Sequence, residues 1–390
     1  MSERQIYLDH GATTPVDQRV VQAMLPYWTE AYGNPSSSHY FGRQAEHGVD
    51  SARRTIAGLL KTRSEEIIFT GCGSESDNLA IRGVMWAARA GSRGNHLITS
   101  VVEHKAVLET ARQLQQQSGF EVTVLPVDEY GRVDPQQVAE AIRNDTALIS
   151  IMAANNEIGT LQPIEAIGNL ARSRGVLFHT DAIQVAAIND WDMASLPIDL
   201  VSFAPHKFYG PKGVGFLYAR KGVELVASLT GGSQEDGRRA GTVNVPYVVG
   251  AAEAFRLAME EREANGAHYR HLRDRLIDGI LQIGDDSILT GHPRQRLPHN
   301  ASFAFRGISG NDLLMHLDAA GIAASSGSAC STGNPRPSSI LEAIGLDDEW
   351  TRGGLRLTVG RQNTDSDVDY VLETLPRVIA TLREFSFQYA

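Results

Sequence analysis

Between Glu66 and Phe203 short apolar runs alternate with longer amphipathic segments, and that alternation leaves few folds open. Glu66–Thr70, His96–Ser100, Glu121–Val127, Ala147–Met152, Val176–Thr180 and Leu200–Phe203 read as buried strands by length and by β-branched or aromatic content. Helical spacing is found from about Leu79 to Ala90 and over Ala106–Gln117, Pro135–Ile142 and Pro163–Ser173. Strands joined in series by helices need crossover connections, which lay helices on both faces of a mostly parallel sheet. The expected class is α/β: a large domain with a mostly parallel sheet flanked by helices, plus a smaller C-terminal α/β domain. The expected division is an N-terminal segment over 1–15, a large domain over 16–260 and a small domain over 261–390. Before the alternation, helices are expected over Val16–Tyr27, with Thr14 as N-cap and Pro15 at the first position, and over Gln44–Leu60. After it, a helical region from Val248 to Asn265 leads to helices Tyr269–Ile283, Asn311–Ala320, Ser338–Ile344 and Asp365–Glu384. Strands Ala301–Phe305, Ile322–Ala324 and Leu355–Val359 lie between them.

Ligands of such sheets bind outside the carboxyl ends of the strands, at the turns. Chemistry-bearing residues fall there on five strands: Ser74, His104, Asn155, Asp181 and Lys207. Lys207 ends an apolar run and precedes the rigid turn Gly210-Pro211-Lys212-Gly213. Desolvation and the neighbouring His206 and Lys212 would free its amine to attack a carbonyl. The alternative is a solvated loop lysine. Gly71-Cys72-Gly73-Ser74 joins a strand to a helix, an arrangement that presents backbone N–H groups to an anion. It is neither a Walker loop nor a dinucleotide fingerprint, and it reads equally as a plain β–α turn. Asp181, at the end of a buried strand, needs a cationic partner or serves as an N-cap.

Further on, Gly231–Thr242 is a glycine-rich loop carrying Arg238 and Arg239, either a solvated excursion or a reach toward a neighbouring subunit. Cys330 lies in a loop of small polar residues, the setting of an accessible, reactive thiol. Arg356, mid-strand, calls for a carboxylate from the protein or from a substrate.

With 46 acidic against 36 basic side chains, the net charge of −10 argues against a general nucleic-acid or membrane binder. Two cysteines, Cys72 and Cys330, do not suggest a disulfide-stapled secreted fold. No signal-peptide pattern, long apolar run, CxxC or HExxH occurs, so a cytoplasmic protein without a zinc site is expected.

The motifs LDHGATTP (8–15), GNPSSSH (33–39), SESDNLAI (74–81), EHKAV (103–107) and NNEIG (155–159) resemble those of the cysteine desulfurases of the NifS/IscS kind. So do HTDAIQ (179–184), HKFYGPKGVG (206–215), GRRAGT (237–242), SSGSAC (325–330) and RLTVGR (356–361). The resemblance spans nearly the whole chain. It implies the fold-type I, aspartate-aminotransferase-like architecture, a homodimer, pyridoxal 5′-phosphate as cofactor and L-cysteine as substrate. It further implies that Lys207 holds the cofactor through its amine and moves the α-proton, that Asp181 pairs with the ring nitrogen, that His104 stacks on the ring, and that Gln184 meets the phenolic oxygen. Gly73, Ser74 and His206 would hold the phosphate, joined by Thr242 from the partner subunit. Asn155 and Arg356 would hold the substrate carboxylate. Cys330 would take the sulfur as a persulfide and pass it to an acceptor such as an iron–sulfur scaffold or a thiolation enzyme.

The chain departs from the family pattern at Ala204-Pro205, where a serine and a glycine are usual. Loss of that serine's bond to the phosphate costs about 1.5–3 kcal/mol if nothing replaces it. Two other readings remain open at this level. One is a selenocysteine lyase or another class-V pyridoxal enzyme. The other is a sulfur-relay or scaffold protein with degraded catalysis, which predicts little bound cofactor.

Overall fold

The computed structural model describes residues 4–326 and 338–388. After β1 (Ile6–Tyr7), seven strands build the central sheet: β2 (Ile67–Thr70), β3 (His96–Ser100), β4 (Glu121–Leu125), β5 (Thr146–Ser150), β6 (Leu177–Asp181), β7 (Leu200–Phe203) and β8 (Gly215–Ala219). Their spatial order is β2-β8-β7-β6-β5-β3-β4. All run parallel except β8, which is antiparallel to both neighbours. The sequence reading missed β8, whose Gly215-Phe216-Leu217-Tyr218-Ala219 follows a Gly/Pro turn too closely to look like a separate crossover. A tight turn is what an antiparallel return permits. Because β8 reverses and β2 reverses again, the carboxyl ends of β2, β3, β5, β6 and β7 share one edge.

Aromatic packing fixes the strand that leads to Lys207. Phe203 stacks on Phe216 with centroids 4.7 Å apart, and Trp191 meets it edge-on at 5.3 Å. Phe255, from helix Val245–Glu260, closes the group at 5.5–5.7 Å from Phe203, Phe208 and Phe216. These rings are almost wholly removed from water, so the backbone that leaves β7 rests on a rigid base.

A second core forms on the three-stranded antiparallel sheet of β9 (Ser287–Leu289), β10 (Asn300–Phe305) and, later in the chain, β12 (Gly354–Thr358). Helices Arg262–Leu281, Gly310–Ala319 and Asp365–Gln388 pack around it. β1 pairs in parallel with β11 (Ile322–Ala323), and Ile6 and Leu8 are buried in this same core. The N-terminus is thus anchored to the C-terminal core, and residues 10–14 then cross to the Lys207 turn.

Several helix boundaries differ from the sequence reading. Thr14 is not an N-cap: its hydroxyl accepts from Tyr209 N at 2.7 Å and bonds His206 O at 3.0 Å. Asp17 caps helix Gln18–Met24 instead, because its carboxylate reaches Arg19 N at 2.9 Å. The helix expected near Leu79 begins at Gly73, which places the whole SESDN motif on its first turns. The break expected after Asn265 falls at Glu261, between helices Val245–Glu260 and Arg262–Leu281.

The Gly231–Thr242 loop is pinned to the large core by Glu235. Its carboxylate takes two bonds of 2.7 Å from Arg53 and one of 3.0 Å from Phe69 N, and its side chain is 2% exposed. Glu235 adopts φ 50°, a strained conformation for a non-glycine residue that these bonds hold in place. Replacing Arg53 with Ala strands this carboxylate and is expected to lower unfolding stability by about 3 kcal/mol in a denaturant titration. A loss below about 0.5 kcal/mol would show that the pin carries little stability.

Candidate active site

The site is built along the shared strand edge. At the end of β2 the helix Gly73–Ala90 starts with Cys72 as its N-cap residue and no side-chain cap, leaving first-turn N–H groups for an outside acceptor. Gly73 lies close against the ends of β6 and β7: a Cβ there would come within 2.4 Å of Ile183 Cδ1 and 3.1 Å of the Ala204 methyl. Ser74 and Cys72 are exposed on its outer side, and Cys72 is a free thiol. Glu75 ties the turn together: it accepts from Gly71 N at 2.6 Å and from Arg239 Nε at 2.8 Å. Arg239 therefore belongs to the bracing of the phosphate-type turn. The exposed Gly241-Thr242 tip continues from it.

Lys207 closes a short 3-10 turn, Pro205–Lys207, after β7. Its Nζ donates to Gly11 O at 2.7 Å and Ala12 O at 2.8 Å, and Gln184 Nε2 donates to the same Gly11 O at 3.0 Å. His206 Nδ1 lies 3.2 Å from Thr13 Oγ1. Burial and the charges of Lys207 and Lys212 hold the His206 imidazole down to about 4, so it is neutral near pH 7. The N-terminal loop is in this way part of the site, seated on Lys207, His206 and Gln184 at once.

Behind this front lies a layer of buried acids. Asp181, 5% exposed, accepts from Ile183 N at 2.9 Å through Oδ1. Burial raises its pKa, while the charges of His104 and Lys207 oppose the rise. His104 caps helix Lys105–Ser118, its Nδ1 accepting from Ala106 N at 3.1 Å, and burial lowers its pKa against the pull of Asp181. Glu103 accepts from Ser100 Oγ at 2.6 Å and Met152 N at 2.9 Å, yet burial pushes it up to about 8. Asp77 and His179 complete the layer, both fully buried.

Arg356 has found its carboxylate inside the protein. Nη2 donates to Asp9 Oδ1 at 2.7 Å and Nη1 to Asn156 O at 2.9 Å, while Nε is buried without a partner. Asn155 is fully buried and spent on its own turn: Nδ2 donates to Val102 O at 2.9 Å, and Oδ1 accepts from Glu157 N and Ile158 N. Its amide frames the turn from which Asn156 O meets Arg356. Cys330 lies outside the described residues. Among the described residues no His/Cys/Asp/Glu cluster could hold a metal, and no helix is long and apolar enough to cross a membrane.

Sequence reasoning therefore placed Ser74, His104, Asp181 and Lys207 at one edge, but missed Asp9, Asp77, Glu103 and His179. Asp77 and His179 stood inside the motifs SESDN and HTDAIQ, where a polar residue at a buried register position was the available signal.

Residues 6–371 match the family described as aminotransferase class-V. The chain is 50% identical over 383 residues to the cysteine desulfurase IscS of Methanosarcina thermophila, covering 98% of this chain and 94% of that protein. Among solved structures, a NifS-like protein superposes with a TM-score of 0.90 at 37% identity, over 97% of this chain and 100% of that one. A structure titled SspA in complex with cysteine superposes with a TM-score of 0.81 at 35% identity, over 92% and 100%. The chain belongs to the class-V aminotransferase family, and within it to the cysteine desulfurases of the NifS/IscS kind.

Glu103 gives a pH test of the buried layer. Its folded pKa of about 8 lies above the ordinary carboxyl value, so from about pH 4.5 to 8 the folded state holds a proton that the unfolded chain has lost. Stability should fall as pH rises through that window, and Glu103→Gln should flatten the fall by up to one proton. An unchanged slope in denaturant titrations at a series of pH values would mean that Glu103 is ionised in the folded protein.

Proposed function

We propose that the chain removes sulfur from L-cysteine with pyridoxal 5′-phosphate as cofactor, yielding L-alanine and a persulfide on Cys330. The observation that carries this reading is the convergence of Lys207, His104 and buried Asp181 beside the N-terminus of helix Gly73–Ala90. A primary amine, an imidazole, a buried carboxyl and a helix N-terminus suit a phosphorylated aromatic aldehyde with a basic ring nitrogen. With Asp181 Oδ1 committed to Ile183 N, Oδ2 is the oxygen left for a ring N–H. Pyridoxal phosphate supplies an electron sink for charge developing at the α-carbon of a bound amino acid.

The chain's own residues do the rest. Asp181 would keep the ring nitrogen protonated, His104 would lie against the ring, and Gln184 would meet the phenolic oxygen. Lys207, whose amine meets the Gly11 and Ala12 carbonyls, would hold the cofactor and carry the α-proton. Gly73, Ser74 and the neutral His206 take the phosphate. Arg356, oriented by Asp9 and Asn156 O, grips the substrate carboxylate, while Asn155 acts through the turn it holds. Cys330, as thiolate, attacks the substrate sulfur. The sulfur's bond to Cβ breaks, the new S–S bond forms on Cys330, and the departing carbon takes a proton to become alanine.

Thr242 is assigned to the phosphate site of a second copy in a homodimer. The bracing of its loop by Glu235 and Arg239, with Thr242 itself exposed, supports that reading. The persulfide's acceptor is an iron–sulfur scaffold or a thiolation enzyme. The chain is read as a large domain over 16–260 and a small one over 261–390.

The purified protein should show a visible absorbance band with pyridoxal phosphate that changes on adding L-cysteine, with alanine formed in step. A protein that stays colourless with added cofactor sinks the reading. Cys330→Ala should keep the band and lower alanine formation by about a thousandfold or more. Alanine produced at the parent rate would remove Cys330 from its role. Ala204→Ser should restore a phosphate donor and tighten cofactor binding by about tenfold or more in a dialysis titration. Unchanged or weaker binding would mean that the hydroxyl does not reach the phosphate.

A further inference from the structure

Asp77 is a buried ionisable group that the reaction leaves without a task. It lies on the first turns of helix Gly73–Ala90, which packs against β5, β6 and β7. Its side chain is fully buried, and neither carboxyl oxygen has a well-formed hydrogen bond; the Ser202 hydroxyl is the donor that acts on it. The base beside it is His179, whose Nε2 is 3.7 Å from Asp77 Oδ1. His179 is equally buried and bridges neighbouring strands, with Nδ1 at 2.8 Å from Ser150 Oγ and Nε2 at 3.0 Å from Ser202 Oγ. His179 and Asp181 are two residues apart on β6 and so project from the same face. Ser202 is the register partner of Asp181 on β7. Asp77 therefore presses against the polar layer that carries Asp181.

An ionised carboxylate without a well-formed hydrogen bond is the costliest state for such a position, and a neutral acid is far cheaper. Burial raises Asp77 well above the usual carboxyl range; the nearby Asp181 and Glu103 raise it further, and the Ser202 hydroxyl opposes the rise. Burial also holds His179 down to about 3, so no imidazolium offsets the charge. The groups facing this layer are thus three acids, Asp77, Glu103 and Asp181, with His104 and the Lys207 amine acting on Asp181.

We propose that Asp77 is a positioning residue for Asp181: a neutral carboxyl, seated on His179, that leaves Asp181 as the acid carrying the layer's negative charge and keeps His179 and Ser202 in place beneath it. The inference rests on the reading of Asp181 as the partner of a cationic ring nitrogen. An ionised Asp77 would repel that charge and divide the proton between the two acids. An apolar group would leave His179 without its polar neighbour.

Two measurements test this. Infrared spectra of the cofactor-free protein at pH 7 should contain a protonated-carboxyl C=O band that Asp77→Asn removes. Absence of that band overturns the proposal whether or not the protein binds cofactor. In titrations with pyridoxal phosphate, Asp77→Leu should weaken binding by about tenfold or more, while the neutral, isosteric Asp77→Asn should stay within about threefold of the parent. Circular dichroism confirms that both variants fold. If Asp77→Leu does not fold, His179→Gln takes its place and should show the same weakening. Asn as poor as Leu would mean that Asp77 carries charge, and Leu (or the His179 variant) equal to the parent would mean that the layer positions nothing. Either result overturns the proposal. A parent that binds no pyridoxal phosphate would sink the cofactor reading instead, with the infrared band still deciding the protonation of Asp77.

Discussion

Charge removed from water at the end of β6 is the constraint on which the rest of the structure turns. Asp181 sits where a lone carboxylate is expensive, and a protein keeps such a group only if a cation comes to meet it. Everything around it prepares that meeting. The sheet brings four other strand ends to the same edge. The aromatic group of Trp191, Phe203, Phe216 and Phe255 makes the adjoining strands unyielding. The helix that begins at Gly73 lies close against Ile183 and Ala204, beside the end of the strand that carries Asp181. The site's electrostatics are therefore properties of the fold, in place before any ligand arrives.

The N-terminal loop joins this fixed front to the second core. Asp9 pairs with Arg356 at 2.7 Å, while Gly11 and Ala12 hold the Lys207 amine and Thr14 holds the turn behind it. A single stretch of six residues, 9–14, thus touches the group assigned to the substrate carboxylate and the group assigned to the cofactor. Arg356 is nearly dry, so its charge would be untenable without Asp9. Asp9 in turn keeps its place because β1 is paired with β11, deep in the C-terminal core. Movement of that core relative to the sheet would be transmitted to Lys207 through this loop, which makes the loop a mechanical link as well as an electrostatic one.

Strand and helix periodicity made the sheet legible because parallel strands buried on both faces leave unbroken apolar runs, as in Leu200–Phe203. β8 escaped because its pairing depends on a tight return that periodicity does not encode. Site residues at strand ends were legible for the same reason, since topology alone puts them on one edge. What stayed hidden were partners far apart in sequence. Nothing in Asp9 announces Arg356, and Thr14 looked like a helix cap because Ser/Thr-Pro is a common helix entry. Its actual bonds, to His206 and Tyr209, exist only once the chain is folded. At Asn155 the sequence allowed a turn over 155–159, and the folded chain shows that turn taking up the amide.

Ala204 shows how such a site tolerates loss. A serine hydroxyl is one donor among several, and the phosphate-type turn here is braced from behind by Glu75, Arg239 and the Glu235–Arg53 pin. Preorganised backbone donors lose little entropy when an anion binds, so a well-braced turn retains part of the affinity that a further side-chain donor would add. At Ala204 the site thus exchanges one directed bond for reliance on the braced backbone donors. That exchange is sustainable because the negative charge of Asp181 and the neutral imidazole of His206 leave the remaining polarity of the site intact.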